Sequence, residues 1–248
     1  VMLILGDTNS GLSAIVAAHY GVKIVHLEAG MRAYDFRMPE DKNRTLIDHL
    51  SSILLPYTNY SRENLIRENI HPSKIFVTGN PIIEVIDYYL PQIQKSNILK
   101  KLKLKKFDYF LVTAHRSENV DNADYLKIII DSCGKIAKKF KRQVIYPMHP
   151  RTKSKLIYKD IPSDVRIMDP LGFYDFNHLL KESYCVLSDS GTAAEEGLFY
   201  KVPNVSLRMA TERPETIESG ATIVSGMNVD NIVASVETAV SLPWSAAV

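Results

Sequence analysis

The amino-acid sequence predicts an α/β protein made of two Rossmann-like domains with parallel sheets. Three observations lead there. Short apolar runs alternate with longer segments whose apolar residues recur every three or four positions, such as "SGLSAIVAAHYG" and "NADYLKIIIDSCGKIAKKF". The runs number ten, more than one sheet comfortably holds. The residues just after the runs are polar, and in doubly wound sheets those carboxyl ends are where ligands bind.

Taken in order, Met2–Leu5, Lys23–Leu27, Ile53–Leu55 and Ile75–Thr78 are the expected strands of a first domain, residues 1–80. Gly79, Asn80 and Pro81 punctuate its end. The second domain, 81–248, carries Tyr109–Thr113, Gln143–Pro147, Val165–Met168, Tyr184–Ser188, Asn204–Leu207 and Thr222–Val224. The basic stretch "KSNILKKLKLKKFD" between them reads as a solvated helix face or linker. The first strand lies at the very start of the chain, with no initiator Met. This predicts that a preceding segment is absent and that the first domain is incomplete.

The bulk numbers narrow the function classes. With 30 basic and 28 acidic residues the net charge is +2, which argues for neither nucleic acid nor membrane as partner. No apolar run approaches the roughly twenty residues of a membrane span. Two cysteines, Cys133 and Cys185, are too few for a disulfide framework and read as buried thiols of a reducing, cytoplasmic compartment.

The polar strand ends hold the candidate chemistry: "LGDTNS", "HLEAGMR", "VTAHRSEN", "YPMHPRT", "LSDSGTAAEE" and "SLRMATERPE". In "LSDSGTAAEEG" a strand gives way to a helix near Thr192. Free N–H groups and the helix dipole favour an anion there, with Ser190 and Thr192 adding hydroxyl donors and Gly191 allowing the turn. The bland alternative is a simple N-cap. Glu196, a turn further on, can accept from ribose hydroxyls. His115, Arg116, Glu118 and Asn119 form a polar group suited to phosphate or sugar, and His149 with Arg151 offers another. Asp7, Glu28 and Glu40 match no zinc or calcium spacing, which leaves proton transfer or plain salt bridges to neighbouring arginines.

Together "GDT", "HLEAGMR", "PEDKNR", "TAHRSEN", "SDSGTAAEE" and "TERPE" resemble, in order, the bacterial non-hydrolysing UDP-N-acetylglucosamine 2-epimerases, from Gly6 to about Gly226. The resemblance implies the GT-B fold, with the nucleotide sugar in the cleft between the domains. It implies catalytic roles for Asp7, Glu28, Glu40 and His115. Ser190 and Gly191 match diphosphate binders, Glu196 the ribose-holding acid, Arg213 a nucleotide-sugar contact and Phe176 an aromatic near the uracil. Arg32, Arg37 and Arg44 would hold the acidic loop. His149 matches a histidine of a second, regulatory UDP-sugar site. The implied reaction is reversible: UDP leaves C1, a proton leaves C2, and the 2-acetamidoglucal takes both back. No cofactor and no metal are implied, and a homodimer is expected.

"DSGTAAEE" and "HPRT" depart from the commoner "DSGGIQEE" and "HLNP". They resemble the branch acting on modified UDP sugars such as diacetamido-uronates or 6-deoxy-talosamine. A hydrolysing 2-epimerase, a GT-B glycosyltransferase and a non-catalytic nucleotide-sugar binder are the rivals. The second domain, from about Ile82 to Gly226, is expected to fold alone and bind UDP weakly through Ser190, Glu196 and Arg213, without epimerase activity in the chain as it stands.

Overall fold

The computed structural model describes residues 1–35, 38–156 and 161–242, apart from the side chains of Ser117 and Arg151. Arg37, expected to brace the acidic loop, and the side chain of Arg151 therefore lie outside the described residues. The chain forms two compact units. The first comprises residues 1–84 and 210–215, the second 85–209 and 216–248.

The first unit holds a parallel sheet in the order β1 (Met2–Leu5), β2 (Ile24–Leu27), β3 (Ile53–Leu55). Leu5 pairs with Leu27 and Leu27 with Leu55, so Gly6, Glu28 and Pro56 follow in line at one edge. Helices α1 (Ala14–His19), α2 (Pro39–Leu50) and α3 (Asn59–Arg67) complete the unit. Ile4, Ala14, Ile24 and Ile47 form one small core, and Ala29, Leu54, Leu65, Ile70 and Ile75 another. Pro39 opens α2 at the first helical position, where its missing N–H costs nothing. β1 is an edge strand, and its Leu3 and Leu5 are exposed.

The expected strand Ile75–Thr78 does not form. Ile75 makes one isolated parallel bridge with Leu54. Phe76 N–H and Thr78 N–H donate to the carbonyls of Leu54 and Pro56 at 2.9 and 3.0 Å. A second bridge would need the return bond from the N–H of residue 56, which is proline and has none.

The second unit opens on α4 (Pro81–Gln94, begun in the first unit) and α5 (Ile98–Leu102). Its six-stranded sheet has the order β6-β5-β4-β7-β8-β9. The strands are β4 (Tyr109–Thr113), β5 (Gln143–Pro147), β6 (Val165–Met168), β7 (Cys185–Ser188), β8 (Asn204–Ser206) and β9 (Thr222–Val224), all paired in parallel. Counted from β4 this is the doubly wound order 3-2-1-4-5-6, whose switch point lies between β4 and β7. The intervening helices are α6 (Ser117–Val120), α7 (Ala123–Phe140), α8 (Pro150–Lys153), α9 (Phe173–Lys181), α10 (Gly191–Tyr200), α11 (Pro214–Glu218) and α12 (Val229–Ser241).

β4 shows why this sheet is central. Phe110 and Val112 enter a core with residues of α7 and α12, while Tyr109 and Leu111 enter a second core with residues of α5 and α9. A strand covered on both faces reads as a continuous apolar run. Within the basic stretch, α5 buries Ile98 and Leu102 and leaves Lys100, Lys101 and Lys103 out of the core. Cys133 and Cys185 are buried free thiols, and burial pushes the Cys133 pKa up to about 12. Among the described residues no helix is long and apolar enough to cross a membrane.

Candidate active site

In the second unit the candidate residues gather at the switch point. β4 ends at Thr113 in register with Ser188 of β7, so "AHRSEN" and "DSGTAAEE" leave the sheet side by side. Asp189, with no exposed surface, joins them. Its carboxylate accepts from the N–H of His115 at 3.0 Å, the N–H of Arg116 at 3.0 Å and Nδ2 of Asn119 at 3.1 Å. Asn119 also donates to the carbonyl of Leu207 at 3.0 Å, and Tyr146 Oη to that of Ala114 at 3.0 Å. The backbone around His115 is thus fixed, while its ring stays 58% exposed with Nδ1 3.6 Å from Asp189.

A cavity of about 480 Å³ opens here, lined among others by His115, His149, Thr152, Pro170 and Phe176. That is within the range of small-ligand sites. His115, His149 and Phe176 are therefore brought together. Arg116 sits beside them, its Nη1 3.4 Å from Glu118.

Ser190 is the N-cap of α10, its Oγ accepting from Ala193 N–H at a long 3.5 Å. Its own N–H donates to Ser188 Oγ at 2.9 Å. The capping role and the anion site coexist, because the first N–H groups of any helix lack intrahelical acceptors. Gly191 is the first helical residue and Thr192 is exposed next to it. Glu196 is buried inside α10, and burial raises its pKa to about 7, against the lowering effect of a hydrogen bond with Asn177 and with a further rise from Glu195. Asn177 is in turn held by Tyr200 Oη at 3.1 Å.

The first unit gathers a separate set. Asp7 and Glu28 follow neighbouring strands, and both are ion-paired to the buried Arg44 of α2, Glu28 at 3.4 Å. Arg213, on the 210–215 segment, donates to Glu28 Oε1 at 2.9 Å and to Glu212 at 2.6 Å. Expected salt bridges and expected catalytic carboxylates are thus the same residues. Glu40 lies in the first turn of α2, half-buried, where the helix dipole favours its charge. Among the described residues its side chain has no hydrogen-bond partner.

Two glycines explain the spacing of "GDT" and "EAG". Gly6 has φ +70°, and a Cβ there would lie 2.8 Å from Glu28 Oε2. Gly30 has φ +77°, and a Cβ there would lie 2.2 Å from the carbonyl oxygen of Ser61. Glu28 itself has φ +65°, a left-handed backbone that costs a non-glycine residue roughly 1–3 kcal/mol and often marks a functional site.

Below this set lies a buried charge network that strand-end reasoning missed. Asp48 accepts from His26 Nδ1 at 2.6 Å, Gly30 N–H at 3.1 Å and Arg32 Nη2 at 2.7 Å. Arg32 also forks onto Glu68 at 2.8 Å through both Nε and Nη2. Burial alone would lower the Arg32 pKa, but the hydrogen bond to Glu68 and the charge of Asp48 more than offset it and raise it. The signal was present: Asp41, Arg44 and Asp48 recur at three and four positions, one charged face of α2, and all three are buried.

These features define an α/β enzyme fold of GT-B type. The family model described as UDP-N-acetylglucosamine 2-epimerase matches residues 1–246, and the chain belongs to that family. The UDP-N-acetylglucosamine 2-epimerase of Methanocaldococcus jannaschii is 39% identical over 247 residues, covering 96% of this chain and 68% of its own length. The UDP-2,3-diacetamido-2,3-dideoxy-D-glucuronate 2-epimerase of Pseudomonas aeruginosa is 35% identical over 241 residues, covering 96% and 66%. The crystal structure of the M. jannaschii enzyme in complex with UDP-GlcNAc and UDP matches with a TM-score of 0.90 at 38% identity, covering 98% of this chain and 69% of that one. The chain thus spans about two thirds of the length of these relatives.

Proposed function

We propose that the full-length protein epimerises a UDP-N-acetyl amino sugar at C2, interconverting UDP-N-acetylglucosamine and UDP-N-acetylmannosamine in the cytoplasm for surface polysaccharide. The observation that carries this reading is the pair of carboxylates, Asp7 and Glu28, fixed after adjacent strands by a shared Arg44. Carboxylates so placed can exchange a proton with a sugar carbon and stabilise a positively charged, oxocarbenium-like sugar.

In the proposed reaction the C1–O bond breaks and its electron pair leaves with UDP. The C2 proton passes to a carboxylate, with Asp7, Glu28 and Glu40 the assigned acids and bases. The 2-acetamidoglucal is then protonated on the other face, and UDP adds back to C1. The second unit is assigned the nucleotide. The α10 N-terminus at Ser190, Gly191 and Thr192 would take the diphosphate, with Arg116 and His115 beside it, while Glu196 takes the ribose and Phe176 the uracil. Arg213 is assigned a contact to the nucleotide sugar.

Incubation of the full-length protein with UDP-N-acetylglucosamine in deuterated water tests the reading. Intact UDP sugar carrying deuterium at C2 is expected. Free amino sugar with stoichiometric UDP would make the protein a hydrolase, and sugar transfer without C2 exchange a glycosyltransferase. The 35% identity to the diacetamido-glucuronate enzyme supports a second reading, a modified UDP sugar as substrate, decided by comparing kcat/KM across the candidate sugars. We also assign His149 to a second, regulatory UDP sugar and the protein to a homodimer. Sigmoidal substrate dependence lost in His149→Ala, and sedimentation of the full-length protein, test these two assignments.

A further inference from the structure

We propose that His26 and Asp48 form a buried pair that holds one proton between two acceptors and positions Glu28 for the reaction proposed above. The argument begins with the partners of the His26 ring, which is fully buried. Nδ1 lies 2.6 Å from Asp48 Oδ1, and Nε2 lies 2.9 Å from the carbonyl oxygen of Gly6. A carbonyl has no proton to give, so Nε2 must donate. A carboxylate has none either, so Nδ1 must donate as well. A neutral imidazole carries one N–H, not two. Either His26 is an imidazolium, or Asp48 carries the proton and gives it to Nδ1.

The surrounding charges choose between the two. Asp48 Oδ2 accepts from the guanidinium of Arg32 at 2.7 Å and from Gly30 N–H at 3.1 Å. Beyond Arg32 stands Glu68, with His49 3.3 Å from it. Asp48 and Glu68 bring two negative charges and Arg32 one positive. The net charge is the same wherever the proton sits, so the choice rests on Asp48: with the proton on His26 its carboxylate faces two cations, whereas a neutral Asp48 would leave Arg32 only the half-buried Glu68 as counter-charge. The proton therefore belongs to His26.

The position of the pair gives it a task. His26 grips the carbonyl of Gly6, the residue before Asp7. Asp48 grips the N–H of Gly30, two residues beyond Glu28. Between those two anchors Glu28 is held at φ +65° with its carboxylate between Arg44 and Arg213. His26 and Asp48 touch none of the reacting groups. They are positioning residues, acting through Gly6 and Gly30.

Two measurements test this. The first needs no variant. In uniformly ¹⁵N-labelled full-length protein, long-range ¹H–¹⁵N correlation should show both His26 ring nitrogens carrying a proton in the folded state. A single tautomer with one unprotonated nitrogen overturns the proton assignment. The second uses Asp48→Asn, which keeps the volume and an acceptor for Gly30, and His26→Gln. Both should lower kcat for C2 exchange by about a hundredfold, the scale of a small misplacement of reacting groups. UDP affinity, which resides in the second unit, should stay within about threefold, and KM should follow it. Unchanged kcat, or kcat and UDP affinity falling together, would make the pair a general structural feature and refute the positioning role. Wild-type protein without any C2 exchange would refute the proposed function and that role with it, while the spectrum still judges the proton.

Discussion

Replacing Asp189 by alanine removes the group from which the His115 segment hangs. Its buried carboxylate serves three donors: the N–H groups of His115 and Arg116 and Nδ2 of Asn119, at 3.0, 3.0 and 3.1 Å. Asn119 keeps a second partner in the Leu207 carbonyl, at 3.0 Å, but the two backbone donors are stranded. A stranded buried donor costs roughly 1–3 kcal/mol, so the three lost bonds together should cost about 3 kcal/mol or more. For a domain of this size each kcal/mol lowers the melting temperature by roughly 2–4 °C, which predicts a fall of about 6–12 °C. Asp189→Asn keeps the volume and one acceptor but turns an amide N–H towards donors, and its melting point should lie between those of wild type and the alanine variant. Scanning calorimetry reads the stability, and UDP titration reads the site, where binding should weaken because His115 lines the cavity. A melting temperature within about 2 °C of wild type would show that water replaces the carboxylate and that Asp189 is not the anchor.

Glu40→Gln and Asp7→Asn should each abolish C2 exchange while leaving UDP affinity nearly intact, since amides keep shape without basicity; near wild-type exchange in both would end the acid–base assignment. Gly6→Ala should destabilise the first unit by about 1–2 kcal/mol for its left-handed backbone alone, and should cut turnover further by displacing Glu28; a variant with wild-type melting and turnover would contradict the contact. Glu196, raised by burial to about 7, stays protonated in the folded protein while the unfolded chain loses its proton near the ordinary glutamate value of 4.5. Stability of the second unit should therefore fall as pH rises from about 4.5 to 7, and Glu196→Gln should flatten that fall in chemical-denaturation curves measured across the window.

The second sheet was legible because its central strands β4 and β7 are buried on both faces and read as nearly unbroken apolar runs. Each of its six strands was found within a residue of its end. In the first sheet the fourth expected run failed, because a run of apolar residues says nothing about its partner's donors, and Pro56 follows directly on that partner. The strand-end rule singled out Asp7, Glu28, His115, His149, Asp189 and Arg213 as candidates, since each follows a recognisable run. It did not find Asp48, which lies inside a helix and whose value depends on His26 and Arg32, 22 and 16 residues away in sequence. Nor could spacing show that Arg213 reaches Glu28 across 185 residues. Such long-range pairs are fixed by topology, not by any local period.

The stretch from His26 to Arg44 answers a physical question as well as a functional one. Buried charges are costly unless paired, and a set of matched apolar residues would often be at least as stable. Here the pairing is thorough: His26 with Asp48, Arg32 with Asp48 and Glu68, Arg44 with Asp7 and Glu28. What the network provides that an apolar core would not is direction. Hydrogen bonds at fixed angles can hold Glu28 in a backbone conformation it would otherwise leave, whereas apolar packing is indifferent to a carboxylate's orientation. The same reasoning orders the variants by effect. Removing the apolar Ile47 from this helix should cost stability with turnover falling only in proportion. Removing its neighbour Asp48 should cost turnover out of proportion to stability. Equal ratios of lost turnover to lost stability in Ile47→Ala and Asp48→Asn would show that the network is only a core built from charges.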